Sequence, residues 1–455
     1  MLRKGLVGAA LAVLALGSAA MADDSQATAD NTSGGSSSQI ALSQYAVNPD
    51  ANNPLLYADD TTQASGEAAA APPAAAPAAP EGAIMWGLDQ IGIGKFLEKW
   101  NTSITGYGEI GYFYDLTQPK DAAGNGDRAL STDRILFPGD YKNSVMLNQL
   151  DIDFQKTIPD TTKFDIGFNI EAIYGRDAVY THANGILDNG NKHGKTSPDN
   201  DLDLEQAYLT FAIPLGSGIT ITAGKFDTLL GLETINPTTN TFYTHSYLFS
   251  YAVPLTQTGV LFAYSFTPNL TLNAGFTRGW NQATSDNNGA IDFLGQLGWQ
   301  INSAIKATVN LSEGPESTDD NHDYWTVVEG ILNWQIADQL GSAVDAVYGD
   351  ANAIAQWYGV AGYLMFDPGM NKYIKANLRA EYYHDGRGFT VGTGGSDVNY
   401  FEATLGAAIT PTPDINLLQS LTFRPEIRVD MADHAVFDNT HHTQLTFALD
   451  AYLKF

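Results

Sequence analysis

The chain has no cysteine. That excludes a disulfide-stapled scaffold, a thiolate metal centre and a cysteine nucleophile. Basic residues are scarce: 23 Lys and Arg stand against 51 Asp and Glu, a formal net charge of −28 over 455 residues. So acidic a balance argues against a nucleic-acid binder, which needs a basic surface to meet phosphates. Charge of either sign is thin, at 16% of residues, so the Lys, Glu and Arg that favour helices are few. No run of 18 uninterrupted apolar residues occurs, so no membrane-crossing helix is expected. There is no G-x-S-x-G elbow, P-loop or H-E-x-x-H, so no catalytic site and no cofactor are expected. The eight histidines are scattered; those at 434, 441 and 442 share one connection, and no metal site is assigned. What is plentiful is Gly (44), Tyr (22) and Phe (21). Turn formers joined to strand formers lean towards an all-β chain.

The N-terminal region divides into three parts. Residues 1–22 read as an export signal: Arg3 and Lys4 precede an apolar Leu6–Leu16, and Ala20-Met21-Ala22 supplies a small-x-small cleavage site. Residues 23–83 are rich in Ser, Asn and Gly and then in Ala and Pro, a disordered, stiffening lead without hydrophobic period. Residues 84–101 carry Trp86, Leu88, Ile91, Phe96 and Leu97 at helical spacing, weakened by Gly87, Gly92 and Gly94. That short helix either caps the base of the folded part or docks into it as a plug.

From Thr102 to Phe455 the period is two. Leu150, Ile152 and Phe154 alternate with Asp151, Asp153 and Gln155, and Phe164 to Ile170 alternate with Asp165, Asn169 and Glu171. Alternation marks strands with unlike faces, but a soluble sandwich alternates too. The runs are about nine to eleven residues, the length a tilted strand needs to cross a bilayer. Their apolar faces carry almost no charge at mid-run. Aromatics near the run ends (Trp280, Trp299, Trp334, Trp357, Tyr382 and Phe455) fit interfacial girdles. Sixteen such runs occur, and 14–18 is the acceptable range. Short connections alternate with mostly long ones. The expectation is an all-β transmembrane antiparallel barrel of about 16 strands over residues 102–455. Every backbone polar group is then paired inside lipid, and sixteen strands enclose a lumen.

The chain stops at Phe455 on an alternating run, LTFALDAYLKF. A terminal aromatic on an amphipathic last strand is similar to the signal read by the bacterial barrel-assembly machinery. The segments Leu204-Glu205-Gln206-Ala207-Tyr208, Gly224-Lys225-Phe226, Gly231 with Glu233, Asn236-Pro237 and Thr258-Gly259 resemble the putative beta-barrel porin-2 (OmpL-like) family. The resemblance covers most of Thr102 to Phe455. It implies a bacterial outer-membrane porin, with outer-membrane lipid around it and small hydrophilic solutes and ions passing through it. Likeness to sixteen-stranded porins implies a homotrimer.

The alternation assigns the lumen face. Acidic pore-lining candidates are Asp151, Asp153, Asp165, Glu171, Glu205, Asp292, Glu329, Asp345, Glu381, Glu426 and Asp430; basic ones are Lys375, Arg379, Arg424 and Arg428. Acids exceed bases, so a mild preference for cations is expected. The three arginines form either a basic ladder across the lumen or ion pairs with neighbouring strands. The connection from Asp227 to Thr256 is long and aromatic-rich. With Glu233, Phe242, Tyr243 and Tyr247 it is the candidate constriction loop. The function expected is passive diffusion; a structural or adhesive barrel with a plugged lumen is the alternative, and a barrel-embedded enzyme ranks below both.

Overall fold

The computed structural model describes residues 82–117, 145–187, 200–369, 373–415, 417–437 and 441–455. The expected export signal and nearly all of the lead lie outside these residues. The alternating runs become sixteen strands. The first, β1, has two segments, Thr102–Thr105 and Tyr107–Asp115. There follow β2 Val145–Lys156, β3 Asp165–Gly175, β4 Asp201–Ile213, β5 Ile219–Asp227, β6 Thr256–Thr267, β7 Leu270–Thr277 and β8 Asp292–Asn302. Then come β9 Ile305–Pro315, β10 Tyr324–Ala337, β11 Leu340–Asp350, β12 Gln356–Phe366, β13 Ile374–Asp385, β14 Val398–Ile409, β15 Thr422–Ala432 and β16 Thr443–Lys454.

Each strand pairs antiparallel with the next, and β16 pairs with β1 from Thr446↔Asp115 to Lys454↔Tyr107. The barrel is therefore closed, with no edge left to satisfy. At the seam, Gly106 and Phe455 exchange both backbone hydrogen bonds, at 3.0 and 2.8 Å. Position 106 must be glycine, because a Cβ there would lie 2.3 Å from the Asp151 carbonyl oxygen. Segment Thr102–Thr105 runs on past the end of β16 and pairs with β2.

Two short helices, α1 Ala83–Gln90 and α2 Gly94–Glu98, sit at this short-turn end. Met85 is buried, and its sulfur accepts from the Ile104 N–H at 3.4 Å.

The two faces of each strand differ as the period requires. Ile152, Ile166, Ile170, Val360, Leu378 and Leu405 point outward and are exposed. The opposite face, pointing inward, is mostly buried and mostly polar. Two departures from simple alternation matter. Between Glu171↔Gln206 and Ile173↔Asp203, residues Leu204 and Glu205 of β4 oppose Ala172 alone. This bulge turns the consecutive Glu205 and Gln206 both inward, where both are buried. The second concerns the aromatics. Trp299 and Trp334 are exposed on the outer face, but Trp357 is fully buried inside and Trp280 packs against it at 6.3 Å. Trp325 completes that cluster, 5.6 Å from Trp280 and 6.0 Å from Trp357. Trp280 and Trp357 are thus not girdle residues: their indoles fill the long-loop mouth. Lys163 lies in the turn before β3 and pairs with Asp160 at 2.7 Å.

Candidate functional site: a lumen crossed by one loop

The 228–255 connection between β5 and β6 is packed inside the barrel. Its apolar side chains (Leu232, Phe242, Tyr247 and Leu248 among them) form one cluster with inward residues of β10 to β14. A buried loop brings unpaired backbone groups that must be satisfied. Wall side chains do this. Glu329 of β10 accepts from Gly231 N–H at 2.9 Å. Glu381 of β13 accepts from Tyr247 and Leu248 N–H at 2.7 and 2.8 Å. Glu426 of β15 accepts from Tyr243 and Thr244 N–H at 3.0 and 3.2 Å. Guanidinium groups take the carbonyls. Arg379 donates to Thr244 O at 2.6 Å, Arg424 to Pro237 O and Asn240 O at 2.7 Å each, and Arg428 to His245 O at 2.6 Å.

The same arginines are neutralised by acids. Arg379 pairs with Glu233 at 2.7 Å and Glu402 at 3.2 Å. Arg424 pairs with Asp450 at 2.6 Å and Glu109 at 3.1 Å, and Arg428 with Asp430 at 2.7 Å. Of the two arrangements open at the level of sequence, these contacts are ion pairs. Aromatic rings close over the guanidinium faces: Phe242 over Arg379 at 5.0 Å and Tyr247 over Arg428 at 5.6 Å.

Glu233 latches the loop to itself and to the wall. It also takes Tyr363 Oη–H at 2.9 Å and Ser246 N–H at 2.8 Å, and faces His245 Nδ1 at 3.2 Å. Burial opposes its ionisation, but Arg379 and His245 outweigh that and hold the carboxyl well below the usual carboxylate range. His245 is pushed down by burial against the pull of Glu233. Tyr243 fills the space over Gly111, where a Cβ would lie 2.1 Å from its hydroxyl.

The wall from β2 to β5 is different. Asp151, Asp153, Glu171, Asp203 and Glu205 line it, all buried. Gln206 donates to Glu171 at 2.5 Å, and Thr181 to Asp203 at 2.8 Å. Lys225 lies 3.5 Å from Asp203 and donates to Leu204 O at 2.6 Å. Among the described residues no donor reaches either oxygen of Glu205. Asp345 is buried beside Glu329. Asp292 is buried at the long-loop end. Asp165 is at the short-turn rim, paired with Lys156 at 2.8 Å, and Lys375 lies towards that rim, half-buried. Among the described residues no group of three or more His, Cys, Asp or Glu is spaced for a metal ion.

Alternation places Glu109, Glu402 and Asp450 on the inward face, but not their pairing with the arginines. Gln206 and Lys225, which join the acidic wall, are not legible as site residues in the sequence. Gln206 had one sequence signal: two polar residues in succession, Glu205 and Gln206, break the alternation.

A closed antiparallel sixteen-strand barrel with one loop folded inward has the porin-like outer-membrane channel fold. The chain belongs to the putative beta-barrel porin-2, OmpL-like, family, whose family model matches residues 101–455. Solved structures similar to it include OprB of Pseudomonas putida (10% identity, 81% of this chain and 97% of that one, TM-score 0.53). An anion-selective porin from Comamonas acidovorans is similar at 11% identity over 78% of this chain and 99% of that one, TM-score 0.50. OmpF of Salmonella typhi, in complex with daunomycin, is similar at 11% identity over 79% and 99%, TM-score 0.50. No curated protein matches the chain.

Proposed function

We propose that the protein is a porin of the bacterial outer membrane through which small hydrophilic solutes and ions diffuse passively, with a mild preference for cations. The 228–255 loop is its constriction, fastened by Glu329, Arg379, Glu381, Arg424, Glu426 and Arg428, and the acids of the β2–β5 wall are the charges nearest the path left beside it. The observation that carries the cation preference is the split of charge inside the barrel. The buried arginines are neutralised by Glu233, Glu402, Glu109, Asp450 and Asp430. On the β2–β5 wall stand five buried carboxyl groups, Asp151, Asp153, Glu171, Asp203 and Glu205, with Lys225 lying 3.5 Å from Asp203. A passing ion therefore meets an excess of negative field on one side. The anion selectivity of the Comamonas porin is that protein's own; at 11% identity the likeness concerns the fold. Phe455 is the residue offered to the barrel-assembly machinery, and a homotrimer in outer-membrane lipid is the assembly expected.

The test is single-channel current of the full-length protein in a planar bilayer under a salt gradient. Steady steps with a cation-side reversal potential are expected. Glu205→Gln should move the reversal potential towards zero without closing the channel. Absence of steps from folded protein would overturn the diffusion reading. A plugged structural barrel is then favoured, because the loop packs tightly and inward side chains are buried along nearly every strand.

A further inference from the structure

Helices α1 and α2, at the short-turn end, lie outside the loop-anchoring network. The chain enters α1 beside β16: a Cβ at Gly82 would lie 3.1 Å from the carbonyl carbon of Phe455. It leaves α2 beside β2, where Asn101 O accepts from Thr157 N–H at 2.9 Å. Between these points the helices follow the rim across β1. Segment Thr102–Thr105 has β2 on one edge and runs past the end of β16 on the other. Met85 covers that open edge, its sulfur accepting from Ile104 N–H. Helix α1 thus stands where a wall strand would stand. Ile104 pairs with Phe154, which alternation puts on the outer face with the exposed Leu150 and Ile152.

The free side of the two helices is apolar. Trp86, Ile91, Ile93, Phe96 and Trp100 are 45–69% exposed, so they do not plug the barrel. Large apolar side chains crowded into a few turns mark a contact surface rather than a solvated one. The placing of the tryptophans identifies that surface. The chain has seven. Trp280, Trp325 and Trp357 pack together at the long-loop mouth, and the other four are exposed at the short-turn end. Trp299 and Trp334 stand on the outer face near the ends of β8 and β10. An indole prefers the boundary between lipid and water, so these two mark its level at that end. Trp86 and Trp100 stand at the same end on the opposite flank, where β15, β16, β1 and β2 carry no tryptophan. Lys95 and Lys99, also exposed, put cations beside Phe96 and Trp100, as in helices that lie in a bilayer surface. We propose that α1 and α2 form an interfacial anchor, lying in the membrane plane at the short-turn end with Trp86, Phe96 and Trp100 against lipid. The inference rests on the outer-membrane reading, through its lipid-facing wall, and not on whether the barrel conducts.

Because the chain has no cysteine, a single introduced cysteine carries a spin label without competition. Full-length Phe96→Cys and Trp100→Cys proteins are labelled and folded into dioleoylphosphatidylcholine vesicles. Collision of the label with oxygen, which concentrates in lipid, is compared with collision with a water-soluble nickel chelate. Ile170→Cys is the lipid reference, and Ala353→Cys, exposed between β11 and β12, is the water reference. Expected is an oxygen-to-chelate ratio at 96 and 100 at least about threefold above that at 353. A ratio equal to that at 353, with 170 still lipid-like, would overturn the anchor and leave the outer-membrane reading standing. So would labels shielded from both reagents, which would make the occupant protein: a second copy, or the lead that precedes α1. A water-like ratio at 170 as well would overturn both. Either helix position decides alone if the other variant fails to fold.

Discussion

Arg379 serves three kinds of partner at once: the carboxylates of Glu233 and Glu402, the Thr244 carbonyl, and the face of Phe242. It is fully buried, so none of these contacts is screened as a surface pair would be. Removing one partner of a buried pair leaves the other charged and alone. Arg379→Ala is therefore expected to cost about 3–5 kcal/mol, read by urea unfolding in lipid vesicles; a loss under 1 kcal/mol would contradict the latch. The pH dependence follows from Glu233. Its folded-state pKa is depressed, so its contribution is present above the unfolded carboxylate value of about 4.3 and is lost as pH falls below that. The loop should stay fastened at pH 5 and loosen only on stronger acidification. The same unfolding measurement, repeated down the pH scale, checks this.

At the scale of elements, the barrel wall and its loop were not equally legible. Sixteen runs read from alternation correspond one to one with the sixteen strands, because the side-chain period of a strand is local. The path of the loop is not local. Tyr243 meets Glu426 across 183 positions and Tyr247 meets Glu381 across 134, and no pattern within the loop announces those partners. Its aromatics hinted at burial but not at what would bury them. The bulge in β4 is intermediate: its two adjacent polar residues are visible, while its consequence, Glu205 and Gln206 both turned inward, needs β3 opposite. Replacing residues 236–250 by a short Gly-Ser linker is expected to raise single-channel conductance at least about twofold, since pore radius limits flow. Unchanged conductance would show that the current passes elsewhere or that the loop is no constriction.

At the scale of the whole molecule, the outer face has to match lipid and the inner face has to match the loop. Ile170, at the middle of β3 and 48% exposed on the outer face, tests the first demand. Ile170→Arg should destabilise the folded barrel by about 2–4 kcal/mol in vesicles. An inward-facing polar exchange such as Thr222→Ser should cost far less. If the arginine were tolerated as well as the serine, the outer face would not be lipid-facing.

The chain by itself determined the class of fold, the number of strands and, wherever the alternation is unbroken, which face turns inward. Those depend on residue type at a period of two and on turn-forming breaks, both properties of neighbouring residues. Tertiary structure decided what the inward charges do. Arg379, Arg424 and Arg428 look alike in sequence to charges lining open water, yet they are held by acids and loop carbonyls. Among the described residues no hydrogen-bond donor reaches Glu205, on the opposite wall. The difference arises because closing the barrel brings together strands and a loop well over a hundred residues apart. Buried backbone and charge then find partners by distance in space, which residue order does not encode.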